Sequence, residues 1–128
     1  MGDKITISGN IQNSILNIKS KLTNVQQSIG SISTGDEAAR QELQGLIEQL
    51  SGALENIPQS LKDEAEAVAA AAQMLVENAR AEKPNKPLLE ISGEGLKKAA
   101  ENLSKVAPTL VGIAGQVVAA VMRMKGLV

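Results

Sequence analysis

The chain has 128 residues, of which 43% are hydrophobic and 21% are charged, and this composition is typical of one globular or bundled domain. It contains no Phe, Tyr, Trp, His or Cys. Imidazole acid–base catalysis, thiol nucleophiles, zinc sites built from Cys and His, disulfides and aromatic stacking platforms are therefore excluded. We expect no enzyme, no catalytic residue, no metal site, no cofactor and no small-molecule substrate.

The formal net charge of -1 conceals a segregation of charge along the chain. Residues 1–35 carry a net +2, residues 36–83 carry ten acids against four bases, and residues 84–128 carry a net +3. This pattern predicts either complementary segments that lie side by side in one bundle or separate surfaces that meet different partners. The bases form no stripe, so we expect no nucleic-acid binding. The opening lacks a signal-peptide pattern, and a cytoplasmic protein is expected.

Residues 1–14 differ from the rest of the sequence. Over residues 5–11, β-branched residues alternate with polar ones and then meet a turn, which is typical of a short strand. A lone strand needs a partner, so this segment pairs with another copy, adds to the sheet edge of a partner, or stays a flexible tail. We therefore divide the chain into a strand-like or flexible segment, 1–14, and a single helical bundle domain, 15–128.

From Ile11 onward the apolar residues follow a helical spacing of alternating fours and threes. We call this set the N-terminal stripe, and it consists of Ile11, Ile15, Ile18, Leu22, Val25, Ile29 and Ile32. The spacing is that of a coiled-coil seam and predicts a helix over about 15–32. The stripe packs either on helices of this chain or on a helix of another molecule. A homo-oligomer or a helical protein partner is expected.

Two longer apolar stripes follow, over residues 36–83 and 87–125. Pro58 predicts a kink or break near 58, with either two collinear helices or one bent helix, and the second stripe allows another kink near 108. The segment 83–87 contains two prolines and predicts a turn. The two arms predict a long antiparallel helical hairpin of about 55 Å. With the N-terminal helix, this makes an all-α, elongated bundle of three or four helices.

The most apolar part of the chain is residues 106–122. Its candidate core or membrane residues are Leu110, Val111, Ile113, Val117, Val118, Val121 and Met122. A membrane-spanning helix usually needs about 20 apolar residues, and this stretch is shorter and contains Thr109 and Gln116. A buried helix is the favoured interpretation, and an interfacial or conditionally inserting segment is the alternative.

Two polar clusters were weighed as binding sites. The segment 90–95 carries two glycines but lacks the strand and the terminal Gly-Lys-Ser/Thr of a phosphate-binding loop, so we interpret these glycines as loosening the helix start or admitting a close neighbour. Asp63, Glu64 and Glu66 lack the pattern of a calcium loop and are interpreted as a solvated first turn of a helix.

Two segments resemble small bacterial helical modules, especially cyanobacterial ones, that accompany conflict-system and signalling effectors. The opening matches their lead-in Gly-Asp-x-Ile-x-Ile-x-Gly-x-Ile through Gly2-Asp3-Lys4-Ile5-Thr6-Ile7-Ser8-Gly9-Asn10-Ile11. The end of the chain resembles theirs in Lys83-Pro84-Asn85-Lys86, Gly95-Leu96-Lys97-Lys98-Ala99-Ala100-Glu101-Asn102-Leu103, Pro108-Thr109 and Val117-Val118. The resemblance implies an adaptor or assembly module, or a small membrane-directed effector.

Taken together, the sequence predicts a non-enzymatic helical module that acts by self-association or partner docking, in an adaptor or assembly role of a defence or signalling system. The predicted docking elements are the N-terminal stripe and the strand at 5–11. The alternative is a membrane-active helical protein that exposes or inserts the apolar segment 106–122 when triggered.

Overall fold

The computed structural model describes residues 2–32, 36–81, 83 and 85–127, with side chains from Leu16 onward. In that part of the chain all regular structure is helical and no strand occurs, which confirms the predicted all-α class and helical bundle. The helices are α1 (Gly2–Ser31), α2 (Glu37–Glu55), α3 (Lys62–Ala79), α4 (Lys86–Glu101) and α5 (Thr109–Met124). A 3₁₀ turn, Gln59–Leu61, precedes α3.

The strand predicted for residues 5–11 is wrong, because these residues belong to α1. Ile7 stands four positions before Ile11, so the helical spacing of the N-terminal stripe can be followed back into this segment. A lone strand would leave its backbone hydrogen-bonding groups unpaired, whereas a helix pairs them locally.

Side chains at the start of α2 cap this helix and contact the end of α1. The carboxylate of Asp36 caps α2 by accepting a hydrogen bond from the backbone N–H of Ala39 at 2.9 Å. Arg40 donates to the carbonyl oxygen of Ile32 and forms an ion pair with Glu37 at 2.9 Å. A guanidinium suits the end of α1 because the last carbonyls of a helix carry partial negative charge.

The chain reverses direction around Pro58 rather than continuing along one arm. Near the end of α5, Arg123 forms an ion pair with Glu42 of α2 at 2.9 Å, and the Nζ of Lys125 donates to the carbonyl oxygen of Ala81 at 3.1 Å. In a straight helical arm, positions 42 and 81 would stand about 58 Å apart. This finding corrects the collinear pieces and the 55 Å arms of the predicted hairpin. The apolar spacing continues through the break because each helix keeps one buried face. The spacing does not show whether the next helix continues in the same direction or reverses.

The five helices form a closed ring in the order α1, α2, α5, α4, α3, with α3 packing back on α1. Lys19 pairs with Glu55 at 3.1 Å, and Gln26 donates to the carbonyl oxygen of Gln44 at 2.9 Å, so α1 and α2 run antiparallel. The hydroxyl of Ser28 donates to Glu77 near the C-terminal ends of α1 and α3, so these two neighbours run parallel. In a closed ring with an odd number of helices, neighbours cannot all run antiparallel, so at least one neighbouring pair must be parallel.

Aliphatic side chains and alanines fill the centre of the ring. Every helix contributes fully buried residues, among them Ile29, Leu50, Leu75, Leu96 and Leu110. The buried positions of α3 are mostly Ala and Val. Small residues allow close approach of neighbouring helices, and α3 packs against α1 and α4 on its two sides.

Candidate interaction surfaces

The N-terminal stripe faces the interior of the bundle. Five of its members have at most 2% of their surface exposed: Ile18, Leu22, Val25, Ile29 and Ile32. They pack in the common core with α2 and α3. Ile11 and Ile15 lie outside the residues whose side chains are described. A docking role for the stripe stays a prediction, and it would require the five buried members to leave the cover that the chain itself provides.

The apolar segment 106–122 corresponds mainly to α5, which has 16 residues and is about 24 Å long. Its candidate residues divide into a buried set, Leu110, Val117, Val121 and Met122, and a partly buried set, Val111, Ile113 and Val118. Over the described ranges of the chain, no helix has the length and hydropathy required to cross a membrane.

Exposed apolar side chains occur on the outer surface of α3 and α4, as well as at Leu16 of α1 and at Val106. Met74 is 60% exposed, Ile91 is 69% exposed and Leu88 is 41% exposed. Some of the positions around them are small, among them Ala71 on α3 and Gly95 on α4. We define the α3–α4 face by six residues: Ala67, Ala71 and Met74 of α3, and Leu88, Ile91 and Gly95 of α4.

One hydrogen bond sets the register of this face. The amide Nδ2 of Asn78 donates to the hydroxyl of Ser92 at 2.6 Å, between helices that run antiparallel. Met74 precedes Asn78 by four positions, and Leu88 and Gly95 stand within four positions of Ser92. Residues three or four apart share one side of a helix. Met74 and Gly95 therefore lie at nearly the same height, on the sides of α3 and α4 that meet.

Charged side chains near the ends of α3 and α4 lie only partly on the α3–α4 face. By helical spacing, Glu66 shares a side with Gln73, toward α1, and Lys86 shares a side with Gly93, which packs on α5. The exposed Lys98 shares the side of Ile91. Asp63, Glu64 and Glu66 lie at the start of α3, where acids complement the helix dipole. Lys83 and Lys86 lie at the other end, in and just after the connection between α3 and α4, and both are exposed. Within the described part of the chain, none of the ion pairs uses these five groups.

Two open grooves follow the sides of α1. The groove toward α2 has a volume of about 280 Å³ and is lined by Lys19, Leu22, Thr23, Gln26, Ile47, Glu48 and Ser51. The groove toward α3 has a volume of about 360 Å³ and is lined by Asn24, Gln27, Ser28, Ser31, Gln73, Glu77 and Arg80. The groove toward α2 has a mixed lining that includes Leu22 and Ile47, and the groove toward α3 is lined by polar side chains. Hydrogen bonds cross both contacts, from Gln26 to the carbonyl oxygen of Gln44 and from Ser28 to Glu77.

The two polar segments that were candidates for small-ligand binding, 63–66 and 90–95, lie in α3 and α4. Gly93 is buried against α5, where an added Cβ would stand 3.0 Å from a methyl group of Val118. Gly95 is open to solvent and has room for a Cβ. Among the residues that the structure describes, no group of three carboxylates is arranged to hold a metal ion.

The apolar spacing of the sequence does not predict the α3–α4 face. Met74 and Ile91 fall outside the apolar stripes of their helices, and the stripes predict only the buried side of each helix. The sequence feature that could have indicated this face is an apolar residue on the polar side of each helix, Met74 and Ile91, with Ala71 and Gly95 three or four positions away. Their meeting on one surface depends on the pairing of α3 with α4.

Comparison with known proteins found no match among family models, curated proteins or solved structures. The resemblance to effector-associated modules thus stays a prediction, and the functional conclusion below rests on the α3–α4 face.

Proposed function

We propose that the chain is a non-enzymatic helical module that acts by self-association through the α3–α4 face. The observation that supports this proposal is the exposure of Met74 and Ile91, at 60% and 69%, on a face that also carries Ala67, Ala71 and Gly95. Contiguous exposed apolar residues mark interaction sites in soluble proteins. Small neighbours allow a second helix to approach closely while the large side chains fill the space between.

A second copy is the occupant that this face fits. A two-fold dimer uses the same patch on both subunits, so the patch has to complement itself. The α3–α4 face combines large with small side chains, and it carries charges of both signs, with Asp63 and Glu64 on α3 and Lys98 on α4. A partner of a single charge sign would meet repulsion from one of these two sets of charges.

The test is the molar mass of the full chain and its variants by light scattering with refractive-index detection, which does not need the missing aromatic residues. We expect the natural chain to show a concentration-dependent dimer. Met74→Glu combined with Ile91→Glu removes four apolar side chains from a symmetric contact. Because each buried aliphatic side chain contributes about 1.5–3 kcal/mol, the dimer Kd should rise by at least about 100-fold.

Leu16→Glu is the matched control, because Leu16 is 58% exposed but lies on α1, away from the α3–α4 face. This variant should dimerise like the natural chain. A natural chain that stays monomeric up to millimolar concentration, or a Leu16→Glu variant that loses assembly as fully as the double variant, would contradict the proposal.

A further inference from the structure

The α3–α4 face carries a methionine, and methionine thioethers are the only sulfur atoms of a chain that has four Met and no Cys. Met74 is 60% exposed, whereas Met122 is 9% and Met124 is 4% exposed, and Met1 lies outside the described residues. We propose that Met74 is an oxidation site, and that its conversion to the sulfoxide by a peroxide dissociates the self-associated chain. This inference rests on the self-association proposed above and adds its regulation.

Accessibility favours Met74 over the other two methionines that the structure describes. Met122 and Met124 lie near the end of α5 and belong to the common core. Oxidation requires that the oxidant reach the sulfur atom, and a core side chain becomes accessible only when its helix opens locally. Met74 lies outside the buried set of α3, so a dissolved peroxide reaches it without any opening of the bundle.

The reaction needs hydrogen peroxide and no group of the protein besides the thioether. A lone pair of the Met74 sulfur attacks one peroxide oxygen, the S–O bond forms and the O–O bond breaks. The departing hydroxide takes up the proton of the transferred oxygen and leaves as water. The sulfur loses two electrons and the peroxide gains them, which gives the sulfoxide. Sulfoxide reductases reverse this step.

A sulfoxide does not suit the contact that the α3–α4 face would make with a second copy. Oxidation converts a flexible apolar side chain into a polar one. The six residues that define the face are Ala, Met, Leu, Ile and Gly, and their side chains have no hydrogen-bond donor. A sulfoxide oxygen covered by the same face of another copy therefore loses its hydrogen bonds to water and gains none from these residues, which is unfavourable. A two-fold contact repeats this cost for Met74 of each copy.

Assembly and oxidation then oppose each other. The dimer covers Met74, so the peroxide reacts with the monomer, and the oxidised monomer associates weakly. A species that reacts with one of two states draws the equilibrium toward that state. Concentrated protein should therefore be protected at Met74 and dilute protein should be sensitive, with no change in the folding of either.

The first test is the rate of oxidation at each methionine of the full chain in excess hydrogen peroxide. Cleavage after Lys and Arg isolates Met74 in the peptide 63–80 and Met122 in the peptide 106–123, and mass spectrometry gives the sulfoxide fraction of each. In dilute monomer Met74 should oxidise at least about tenfold faster than Met122. At about 100 times the dimer Kd the rate at Met74 should fall about tenfold by mass action, while free methionine in the same solution gives a constant reference.

The second test is the molar mass of the oxidised chain by light scattering. The dimer Kd should rise about 30-fold or more, because two unpartnered polar groups enter the contact, and treatment with sulfoxide reductases of both stereospecificities should restore the natural Kd. Far-ultraviolet circular dichroism should show unchanged helix content.

Two variants attribute the response to one residue. Met74→Leu keeps an apolar side chain of similar volume, so it should still dimerise, and peroxide should no longer change its Kd. Met122→Leu is the matched control, because it removes a core methionine and should leave the peroxide response of the dimer intact.

The outcomes separate this inference from the proposed function. If the natural chain dimerises but its oxidised form keeps the same Kd, or if Met74→Leu responds to peroxide as the natural chain does, the oxidation site is overturned and self-association stands. Equal oxidation rates at Met74 and Met122 also overturn it. A natural chain that is monomeric at every concentration overturns both.

Discussion

Gly93 shows how the absence of one methyl group sets the distance between two helices. A Cβ built at this position would lie 3.0 and 3.2 Å from the two γ-methyl groups of Val118. Val118 is β-branched and has little rotamer freedom in a helix, so it cannot easily turn away. The glycine is therefore needed for the close contact between α4 and α5, despite its poor helix propensity.

Gly93→Ala should lower the free energy of unfolding by about 1 kcal/mol, since overpacking costs about 1–3 kcal/mol and the gain in helix propensity returns about 1 kcal/mol. Urea unfolding followed by circular dichroism measures this change. In a Val118→Ala background the same substitution should become stabilising, because the clash is gone.

Gly52→Ala is the control for this prediction. Gly52 lies inside α2, and nothing stands within 4 Å of an added Cβ. The substitution should raise the free energy of unfolding by about 0.5–1 kcal/mol through helix propensity alone. Equal effects of alanine at positions 93 and 52 would show that α4 and α5 are not in close contact at Gly93.

For α1, the structure distinguishes between two interpretations of the N-terminal stripe. The alternating spacing of the N-terminal stripe fits an intermolecular coiled coil and an internal helix equally well. In the structure the described members from Ile18 to Ile32 are buried in the chain's own core. The residues between them are polar and line the two grooves beside α1, as expected of a narrow buried stripe.

Ile29→Ala should lower the free energy of unfolding by about 2–5 kcal/mol, because Ile29 is fully buried and its truncation leaves a cavity. Leu16→Ala should change it by less than about 0.5 kcal/mol, as Leu16 is 58% exposed. Both are measured by urea unfolding at a protein concentration at which the natural chain is monomeric.

The same pair of variants tests where the stripe acts. An internal stripe leaves the molar mass of the Ile29→Ala variant unchanged at high protein concentration. If Ile29→Ala instead abolished assembly and left the unfolding of the monomer unaffected, the stripe would be an intermolecular seam, and the burial seen here would belong to a different state of the chain.

In the complete bundle, the two reversals of chain direction, at 56–61 and 102–108, determine which helices contact one another. The turns at 56–61 and 102–108 fold each predicted arm in half, so that α5 contacts both α2 and α4. The acidic and basic parts of the chain do lie side by side, as in the ion pair of Arg123 with Glu42. They meet within a ring of short helices rather than along a long hairpin.

Spin labels report this topology directly, because the natural chain has no cysteine to compete with introduced ones. With Glu42→Cys and Ala81→Cys, pulsed dipolar spectroscopy should give a separation of about 10–20 Å, one to two helix diameters. A straight arm through Pro58 predicts about 58 Å instead. Labels at positions 42 and 55, both in α2, should give about 20 Å in either topology and thus serve as the control.

By itself, the sequence determined the helical class, the positions of the breaks and which face of each helix is buried. Leu50, Leu75, Leu96 and Val117 stand on the predicted stripes and are all fully buried. These features are local, because propensity, capping and apolar periodicity act over one or two helical turns. The N-terminal segment is ambiguous in sequence. Residues 5–11 alternate as in a strand, but only over a few positions, and the helical spacing that begins at Ile7 overlaps them.

Only the tertiary structure decided the direction of each helix after a break, the closure of the ring and the composition of the α3–α4 face. Periodicity records that a face is buried but not which helix covers it, and a turn of six or seven residues can end in a collinear or a reversed helix. Met74 and Gly95 stand 21 positions apart in the sequence. They share a surface only because the Asn78–Ser92 contact sets α3 against α4 in one register.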